Sequence, residues 1–231
     1  MIGWDPDGYR VAFTTRVGGV SEGPYASLNL GRKSGDDPER ADENRRIACE
    51  TVGADVEKLA LNFQVHSARV LRAVPAQRGE HADGLWTDEP GLPILAMSAD
   101  CLPIVLARVG KPGVTVLHAG WRGLLAGIVA AGAEALGGEK LVAAVGPAIG
   151  PCCYEVGEEV AAPFRERFGD DVVQGSRLDL WTSAERALRA AGVERVERFD
   201  RCTACEPETF FSHRRDAGRT GRQGVIAYVA G

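Results

Sequence analysis

Two histidines and one cysteine are the residues of this chain best suited to binding a metal ion. They lie in three short segments, Asn62-Phe-Gln-Val-His66, Met97-Ser-Ala-Asp-Cys101 and Val116-Leu-His118-Ala-Gly-Trp-Arg-Gly123, and each is predicted to end a strand. Catalytic zinc sites commonly use three protein ligands and keep the fourth position for water or substrate. His66, Cys101 and His118 therefore form a candidate catalytic zinc site.

The spacing of these residues argues against a structural zinc module, in which ligands are paired about two to four residues apart. Here the ligands lie far apart in the chain, so the fold has to bring them together. Each residue alone can equally be a buried core side chain, because free cysteine is among the residue types most often buried. Flanking Asp, Gly and Arg recur at the segments, which favours a site.

Short apolar runs predict the strands that would position these residues. The predicted strands cover Val11–Thr15, Leu92–Met97, Ile104–Arg108, Val114–Leu117, Leu141–Val145, Arg195–Phe199 and Val225–Val229. Strands and helices mix without strict alternation. This order predicts an α+β fold, an α/β layered sandwich with a mixed sheet, rather than a doubly wound parallel sheet.

Three helices are predicted from capping residues and apolar spacing. The first runs from Pro38, behind the N-cap Asp37, to Val52, and another lies between Asp179 and Gly192. The helix after His118 is predicted from apolar residues with helical spacing, namely Trp121, Leu124, Leu125, Ile128 and Val129. Unpaired backbone NH groups at its start can hold an anion such as phosphate beside the metal.

Composition indicates one cytoplasmic domain over residues 1–231, because apolar patterns continue along all 231 residues without a linker. The net charge of −5 argues against a nucleic-acid partner. No apolar run approaches the roughly 20 residues of a membrane span, and no leader pattern is visible. The basic residues Arg214, Arg215, Arg219 and Arg222 are either a solvated loop or a phosphate or substrate clamp. No pattern decides between a monomer and a small homo-oligomer.

The six cysteines are expected to be reduced, because a chain of this size and aliphatic content folds without disulfides. Cys202-Thr-Ala-Cys205 is a CxxC motif, which can be a redox pair or half of a metal site. Cys152 and Cys153 can supply the other half, but adjacent residues are poor partners in a tetrahedral site. The sequence therefore disfavours a four-cysteine zinc site.

Seven motifs occur in the order found in one protein family. They are Thr14-Thr-Arg-Val-Gly-Gly-Val-Ser21, Gln64-Val-His66, Ala82-Asp-Gly-Leu-Trp-Thr87, Ser98-Ala-Asp-Cys101, His118-Ala-Gly-Trp-Arg-Gly123, Gly146-Pro-Ala-Ile-Gly-Pro-Cys-Cys-Tyr-Glu155 and Phe210-Phe-Ser-His-Arg-Arg-Asp216. On these motifs the chain resembles the YfiH-type proteins, first labelled polyphenol oxidase or laccase and later described as purine nucleoside phosphorylases with adenosine deaminase activity. The likeness runs from about Phe13 to Tyr228 and departs at His213, where the family often carries Tyr.

The resemblance implies zinc at His66, Cys101 and His118, and a fold related to a bacterial toxin deamidase that uses a Cys and a His. It also implies phosphorolysis of adenosine, inosine, guanosine and methylthioadenosine, with deamination of adenosine as a second activity. For deamination, zinc would lower the pKa of bound water from about 15.7 toward about 7. Asp100 or Asp83 can then carry the proton to the leaving ammonia.

Further candidates follow from side-chain chemistry. Guanidinium groups bind oxyanions in a forked geometry, amides can read base or ribose edges, and a histidine can assist a leaving base. The candidates are Arg16, Arg45 and Arg122 for phosphate, Gln64 and Asn29 for the nucleoside, and His81 for the base. Each has an ordinary alternative as a surface, turn or capping residue.

Other functions stay open at this point. Cys101 and His118 can act as the thiolate and base of an amide hydrolase that edits peptidoglycan precursors. A copper-dependent polyphenol oxidase of the usual kind needs many His ligands, and four histidines cannot build it, although adventitious copper at the triad can give weak oxidation. A non-enzymatic metal protein that binds a partner is the last alternative.

Overall fold

A computed structural model describes residues 1–137 and 140–231. The strands in this part of the chain are β1 (Ile2–Gly3), β2 (Tyr9–Phe13), β3 (Ala60–Leu61), β4 (Val70–Arg72), β5 (Gly84–Thr87), β6 (Ile94–Ser98), β7 (Leu102–Arg108), β8 (Val114–Ala119), β9 (Leu141–Val145), β10 (Val173–Gln174), β11 (Arg177–Leu178), β12 (Val193–Arg198) and β13 (Gln223–Val229). The α-helices are α1 (Pro38–Thr51), α2 (Trp121–Ala126), α3 (Ile128–Ala135), α4 (Glu158–Phe168) and α5 (Leu180–Ala190).

The strands form two mixed sheets and a small hairpin. One sheet has the order β1-β2-β13-β6-β3, the other has the order β12-β9-β7-β8-β5-β4, and β10 pairs with β11. Most neighbours are antiparallel, but β3 with β6, β4 with β5, and β9 with β12 are parallel. The predicted α+β layered sandwich with mixed sheet is confirmed.

Strand β7 shows why the central strands are apolar along their whole length. Leu102, Ile104 and Leu106 face a core shared with α2, α3, α4 and α5. Val105 and Ala107 face a second core, which lies between the two sheets. Because successive side chains of a strand point to opposite faces, a strand with both faces covered has no polar alternation.

A third core covers the other face of the five-stranded sheet. Leu95 and Ile226 from β6 and β13 pack there against Ala48 and Cys49 of α1. Helix α1 is positioned by its N-cap, because the Asp37 side chain accepts a hydrogen bond from the Glu39 NH. The protein is thus layered as helix, sheet, sheet and helices. Among the described residues, no helix combines the length and apolar composition needed to cross a membrane.

Three sequence predictions about the site segments are wrong. The strand predicted to end at His66 stops at Leu61, because the backbone NH groups of residues 65–67 donate to the Asp83 carboxylate instead of to a neighbouring strand. Cys101 likewise follows the end of β6 at Ser98 rather than ending a strand. The helix predicted after His118 is two helices, because Gly127 adopts the left-handed conformation with φ 90°.

Candidate metal centre

Strand register brings the three predicted ligands together. Cys101 lies where the chain passes from β6 in one sheet to β7 in the other, and Pro103 of β7 pairs with His118 of β8. His66 reaches the same place from the loop after β3. The ligand atoms of His66, Cys101 and His118 all lie within 4.8 Å of one another. The structure therefore assembles a candidate metal site from three segments that are distant in the chain.

The Asp83 carboxylate positions His118 and the His66 loop through hydrogen bonds. Its Oδ1 accepts hydrogen bonds from the His66 NH and His118 Nδ1, both at 2.9 Å. Its Oδ2 accepts from the NH groups of Val65 and Ser67 at 3.2 and 2.6 Å, and from the Ser67 hydroxyl at 2.8 Å. The register between β5 and β8 places Asp83 beside His118, whose NH also donates to the Asp83 carbonyl at 2.7 Å.

The charge of Asp83 is held by these bonds. Burial alone would raise the pKa of its carboxyl group, but the hydrogen bonds from His118 and Ser67 outweigh burial and hold the pKa well below its usual range. Because Nδ1 of His118 donates to this carboxylate, Nε2 is the nitrogen left for a metal, the arrangement common for histidine ligands. The sequence predicts Asp83 either as a proton carrier or as a turn or capping residue, and does not predict this orienting contact.

Two backbone features shape the space around the ligands. His66 and Asp100, the residue before Cys101, both have positive φ, 61° and 89°. Such conformations cost roughly 1–3 kcal/mol each and tend to occur at functional sites. At Gly120 an added Cβ would lie 2.9 Å from the Cys101 sulfur and 3.0 Å from Cδ2 of His66. An alanine at this position would therefore crowd the two candidate ligands.

Cys101 and His118 polarise each other. Burial raises the pKa of the Cys101 thiol. The charge and hydrogen bonds of His118 and His66 have a larger, opposite effect, and the pKa falls below its usual value to about 6. Burial lowers the pKa of His118, while the Cys101 thiolate and Asp83 raise it to about 9. Without a bound metal the two groups therefore form a thiolate and imidazolium pair at neutral pH, and a metal ion would take the place of the proton.

The geometry fits a small tetrahedral ion. The Cys101 sulfur lies 3.9 Å from His66 Nε2. Zinc–sulfur and zinc–nitrogen bonds of about 2.3 and 2.0–2.1 Å would place a tetrahedral S···N pair about 3.6 Å apart. His118 is buried, Cys101 is half-buried and His66 is exposed, so the site opens to solvent on the His66 side.

Two of the predicted phosphate ligands bind backbone carbonyls. Arg16 donates to the carbonyls of Ala26 and Pro207 at 2.8 Å, and its guanidinium lies over the Phe211 ring. Arg45 is buried in α1 and donates to the Leu30 carbonyl at 2.8 Å. Burial lowers the pKa of Arg45 to about 10 despite the opposing charge of Asp42. Both arginines hold loops in place.

The two predicted nucleoside contacts are also engaged within the protein. Gln64 donates to the Met97 carbonyl at 2.6 Å and accepts from the Met97 NH at 2.8 Å, which fixes the His66 loop to β6. Asn29 is fully buried. Its side-chain NH₂ group donates to the side chains of Ser34 and Asp36 at 2.9 Å. Its side-chain oxygen accepts from the backbone NH of Arg222 at 2.8 Å.

Asp100 directly precedes the candidate ligand Cys101, and Arg122 follows the candidate ligand His118 by four residues. The exposed Arg122 guanidinium stacks on the Trp121 ring at 4.1 Å from its centroid. Asp100 is buried, and its two carboxylate oxygens accept from the Thr203 hydroxyl and the Arg214 NH, both at 2.6 Å. The carboxylate therefore ties the Cys101 segment to the loops that carry Thr203 and Arg214.

Tyr154 is a neighbour of the site that sequence reasoning missed. Burial, followed by the negative charges of Cys101 and Asp100, raises the pKa of its phenol to about 12, although Arg214 and Arg122 act in the opposite direction. Arg214 also lies over the ring, 5.2 Å from its centroid. The only available signal was its place in the motif at residues 146–155. His81, by contrast, packs on Phe63 at 5.0 Å between ring centroids.

A second group of ligating side chains lies outside this site. The sulfurs of Cys152, Cys153, Cys202 and Cys205 come within 4.8 Å of one another, and no disulfide links them in the described residues. The sequence alone disfavours a four-cysteine zinc site because two of the cysteines are adjacent. The structure brings the four thiols together.

The chain is similar to known proteins over nearly its whole length. It matches the sequence model for the family described as multi-copper polyphenol oxidoreductase laccase over residues 10–230. It is 37% identical over 233 residues to the Escherichia coli K12 protein named purine nucleoside phosphorylase YfiH, covering 97% of this chain and 95% of that protein. It is 40% identical over 224 residues to a Deinococcus radiodurans protein named purine nucleoside phosphorylase, with 93% and 87% covered.

Solved structures show the same likeness. The Neisseria meningitidis protein NMB0706 superposes with a TM-score of 0.91 at 34% identity, over 100% of this chain and 99% of that one. YlmD from Geobacillus stearothermophilus superposes with a TM-score of 0.89 at 34% identity, over 97% and 93%.

Proposed function

Because the chain belongs to the multi-copper polyphenol oxidoreductase laccase family, whose relatives above are named purine nucleoside phosphorylases, we propose that it is a zinc-dependent purine nucleoside phosphorylase. The resemblance to YfiH-type proteins is confirmed. The proposed substrates are adenosine, inosine, guanosine and methylthioadenosine, with phosphate as the second reactant and adenosine deamination as a second activity. The observation that carries the proposal is the convergence of His66, Cys101 and His118 in front of Asp83.

Zinc is the proposed ion because two imidazoles and one thiolate are a donor set used by catalytic zinc sites. When bound, zinc supplies a Lewis acid that polarises a substrate group or lowers the pKa of water. Asp83 orients His118 for this role, and the open side near His66 admits the substrate. In the described residues the structure brings together two of the chain's four histidines. A multi-copper oxidase would need more, so copper is proposed only as an adventitious ion.

Phosphorolysis requires a held phosphate and a proton for the departing base. A phosphate oxygen bonds to the anomeric carbon, the bond from that carbon to the purine nitrogen breaks, and the base leaves with the electron pair and takes up a proton from water. We propose Arg122 as the direct phosphate ligand, because its guanidinium is exposed and only its face is covered by Trp121. Arg16 and Arg45 are proposed to support this subsite through the loops they hold.

Asp100 and Tyr154 are the proposed proton-handling groups. Among the described residues, each Asp100 oxygen accepts one hydrogen bond, which leaves lone pairs for a substrate proton. Tyr154, with its pKa raised to about 12 by burial and neighbouring negative charge, stays protonated at neutral pH and can donate a hydrogen bond. Gln64 and Asn29 are proposed to shape the nucleoside subsite through the segments that they fix.

The test is to incubate the zinc-loaded protein with adenosine, with and without phosphate, and to separate the products by chromatography. Adenine and ribose 1-phosphate formed only with phosphate are expected, together with inosine formed without phosphate. His118→Ala and Cys101→Ala should each lose metal and both products. Cys49→Ala is the matched control, because Cys49 lies in the separate core beneath α1. Normal turnover in both site variants would overturn the metal-site proposal.

The same experiment separates the amide-hydrolase alternative. The thiolate character of Cys101 is the observation that favours it, since a lowered thiol pKa activates a nucleophile. If no nucleoside is turned over, amide substrates such as peptidoglycan precursors should be assayed after zinc removal and, separately, after thiol alkylation. Loss of activity only on alkylation would identify Cys101 as the nucleophile.

A further inference from the structure

Four of the six cysteines gather at one point outside the His66 site. The Cys205 sulfur lies 3.5 Å from the Cys152 sulfur and 3.4 Å from the Cys153 sulfur, and the Cys202 sulfur lies within 4.8 Å of all of them. Cys202 is buried, Cys153 is half-buried, and Cys152 and Cys205 are exposed. The cluster therefore sits at the surface with one sulfur anchored inside.

The two separations from the Cys205 sulfur, 3.4 and 3.5 Å, are close to those of a tetrahedral thiolate site, and the 4.8 Å limit on the other pairs is compatible with one. With zinc–sulfur bonds of about 2.3 Å, the edges of a tetrahedron of sulfurs are about 3.8 Å long. A disulfide can use only two of the four thiols, and Cys205 is equally close to two partners. We propose that Cys152, Cys153, Cys202 and Cys205 bind a second zinc ion, independently of the reaction proposed above.

Two turns allow the adjacent residues Cys152 and Cys153 to be partners in one site. The NH groups of Cys153 and Tyr154 both donate to the Gly150 carbonyl, at 2.9 and 3.0 Å, so the chain curls around Cys152 and Cys153. On the other side the Cys205 NH donates to the Cys202 carbonyl at 3.2 Å, which closes the CxxC turn. The Gly150 NH also donates to the Cys202 sulfur at 3.3 Å, a contact that stabilises a thiolate.

The cluster joins the two loops that support the catalytic centre. One loop continues directly to Tyr154, and its Ile149 NH donates to the Asp100 carbonyl at 2.9 Å. The other contains Thr203, whose hydroxyl binds the Asp100 carboxylate. A metal at the four cysteines would fasten these loops to each other and so hold Asp100 and Tyr154 in place. This positioning role, unlike the metal binding itself, rests on the function proposed above.

The first test counts metal ions per chain by native mass spectrometry and elemental analysis of reduced, zinc-loaded protein. Two zinc ions are expected for the unmodified chain. One is expected for Cys205→Ser and one for His118→Ala, and none for the double variant. Cys49→Ser is the matched control and should keep two. Cobalt loading should give several-fold stronger thiolate charge-transfer absorption in His118→Ala than in Cys205→Ser, because four thiolates rather than one bind the ion.

A second measurement needs no variant and so is independent of folding defects. The unmodified chain is alkylated with and without zinc, and the modified cysteines are mapped by peptide mass spectrometry. Zinc should protect Cys152, Cys153 and Cys205, although Cys152 and Cys205 are exposed and Cys153 is only half-buried. Three results would each overturn the proposal. They are one zinc per chain that is unaffected by Cys205→Ser, equal alkylation with and without zinc, and a disulfide among these cysteines under reducing conditions. Loss of nucleoside turnover alone would not bear on it.

Discussion

Replacement of Asp83 by Asn should loosen the metal centre without changing the shape of the side chain. Asp83 accepts five hydrogen bonds, two at Oδ1 and three at Oδ2. Asn keeps one acceptor oxygen, and the orientation that preserves most bonds places its NH₂ group at the Oδ1 position. There it faces the NH of His66 and Nδ1 of His118. His118 must then accept at Nδ1 and carry its proton on Nε2, which is the nitrogen that a metal needs.

The magnitudes follow from these contacts. Loss of an orienting partner of a histidine ligand typically weakens metal binding by about 10- to 100-fold, or about 1.4–2.7 kcal/mol. In the metal-free variant the His66 NH loses its acceptor, and His118 exchanges a charge-assisted hydrogen bond for a neutral one. At on the order of 1 kcal/mol for each change, the variant should be destabilised by about 2 kcal/mol. The net effect on the loaded protein is a lower affinity and a lower free energy of unfolding.

Zinc affinity is measured by competition with a chromophoric chelator, and stability by urea unfolding of the metal-free protein. The titration is repeated in a Cys205→Ser background, so that metal at the four cysteines does not obscure the result. Asp88→Asn is the matched control, because Asp88 forms an exposed ion pair with Arg72 at 2.7 Å that should contribute no more than about 1 kcal/mol. Unchanged zinc affinity in Asp83→Asn would refute the role assigned to Asp83.

Two further outcomes are expected. Gly120→Ala should weaken zinc binding by about 10- to 100-fold in the same titration, because the added Cβ would crowd Cys101 and His66. The backbone at this position, with φ −75°, accepts alanine, so the effect comes from overpacking, which typically costs about 1–3 kcal/mol. In zinc-free protein, the alkylation rate of Cys101 should rise with pH and reach half its maximum near pH 6 rather than near its usual 9, because the thiolate forms as pH passes the pKa that His118 lowers against the effect of burial. Cys49, whose pKa burial raises to about 12, is the internal reference, and a Cys101 midpoint above pH 8 would contradict the thiolate and imidazolium pair.

Local patterns predicted most of the elements. Helix α1 begins at Pro38 behind Asp37 as its capping signal indicates, and β9 covers Leu141–Val145 as its apolar run indicates. Helix α4 escaped prediction because Pro163 lies inside it, and an internal proline is ordinarily a helix-breaking signal. The helix after His118 was predicted too long because apolar spacing continues across Gly127.

The sequence by itself determined which side chains can bind a metal, because ligand chemistry belongs to residue type and the motifs mark His66, Cys101 and His118. Only the tertiary structure decided that Asp83 stands behind His118, since strand register sets that contact and no local pattern specifies register. Only the structure, likewise, gathered the four cysteines. Their meeting depends on two turns more than 50 residues apart, and hydrogen bonds to the Gly150 and Cys202 carbonyls form those turns.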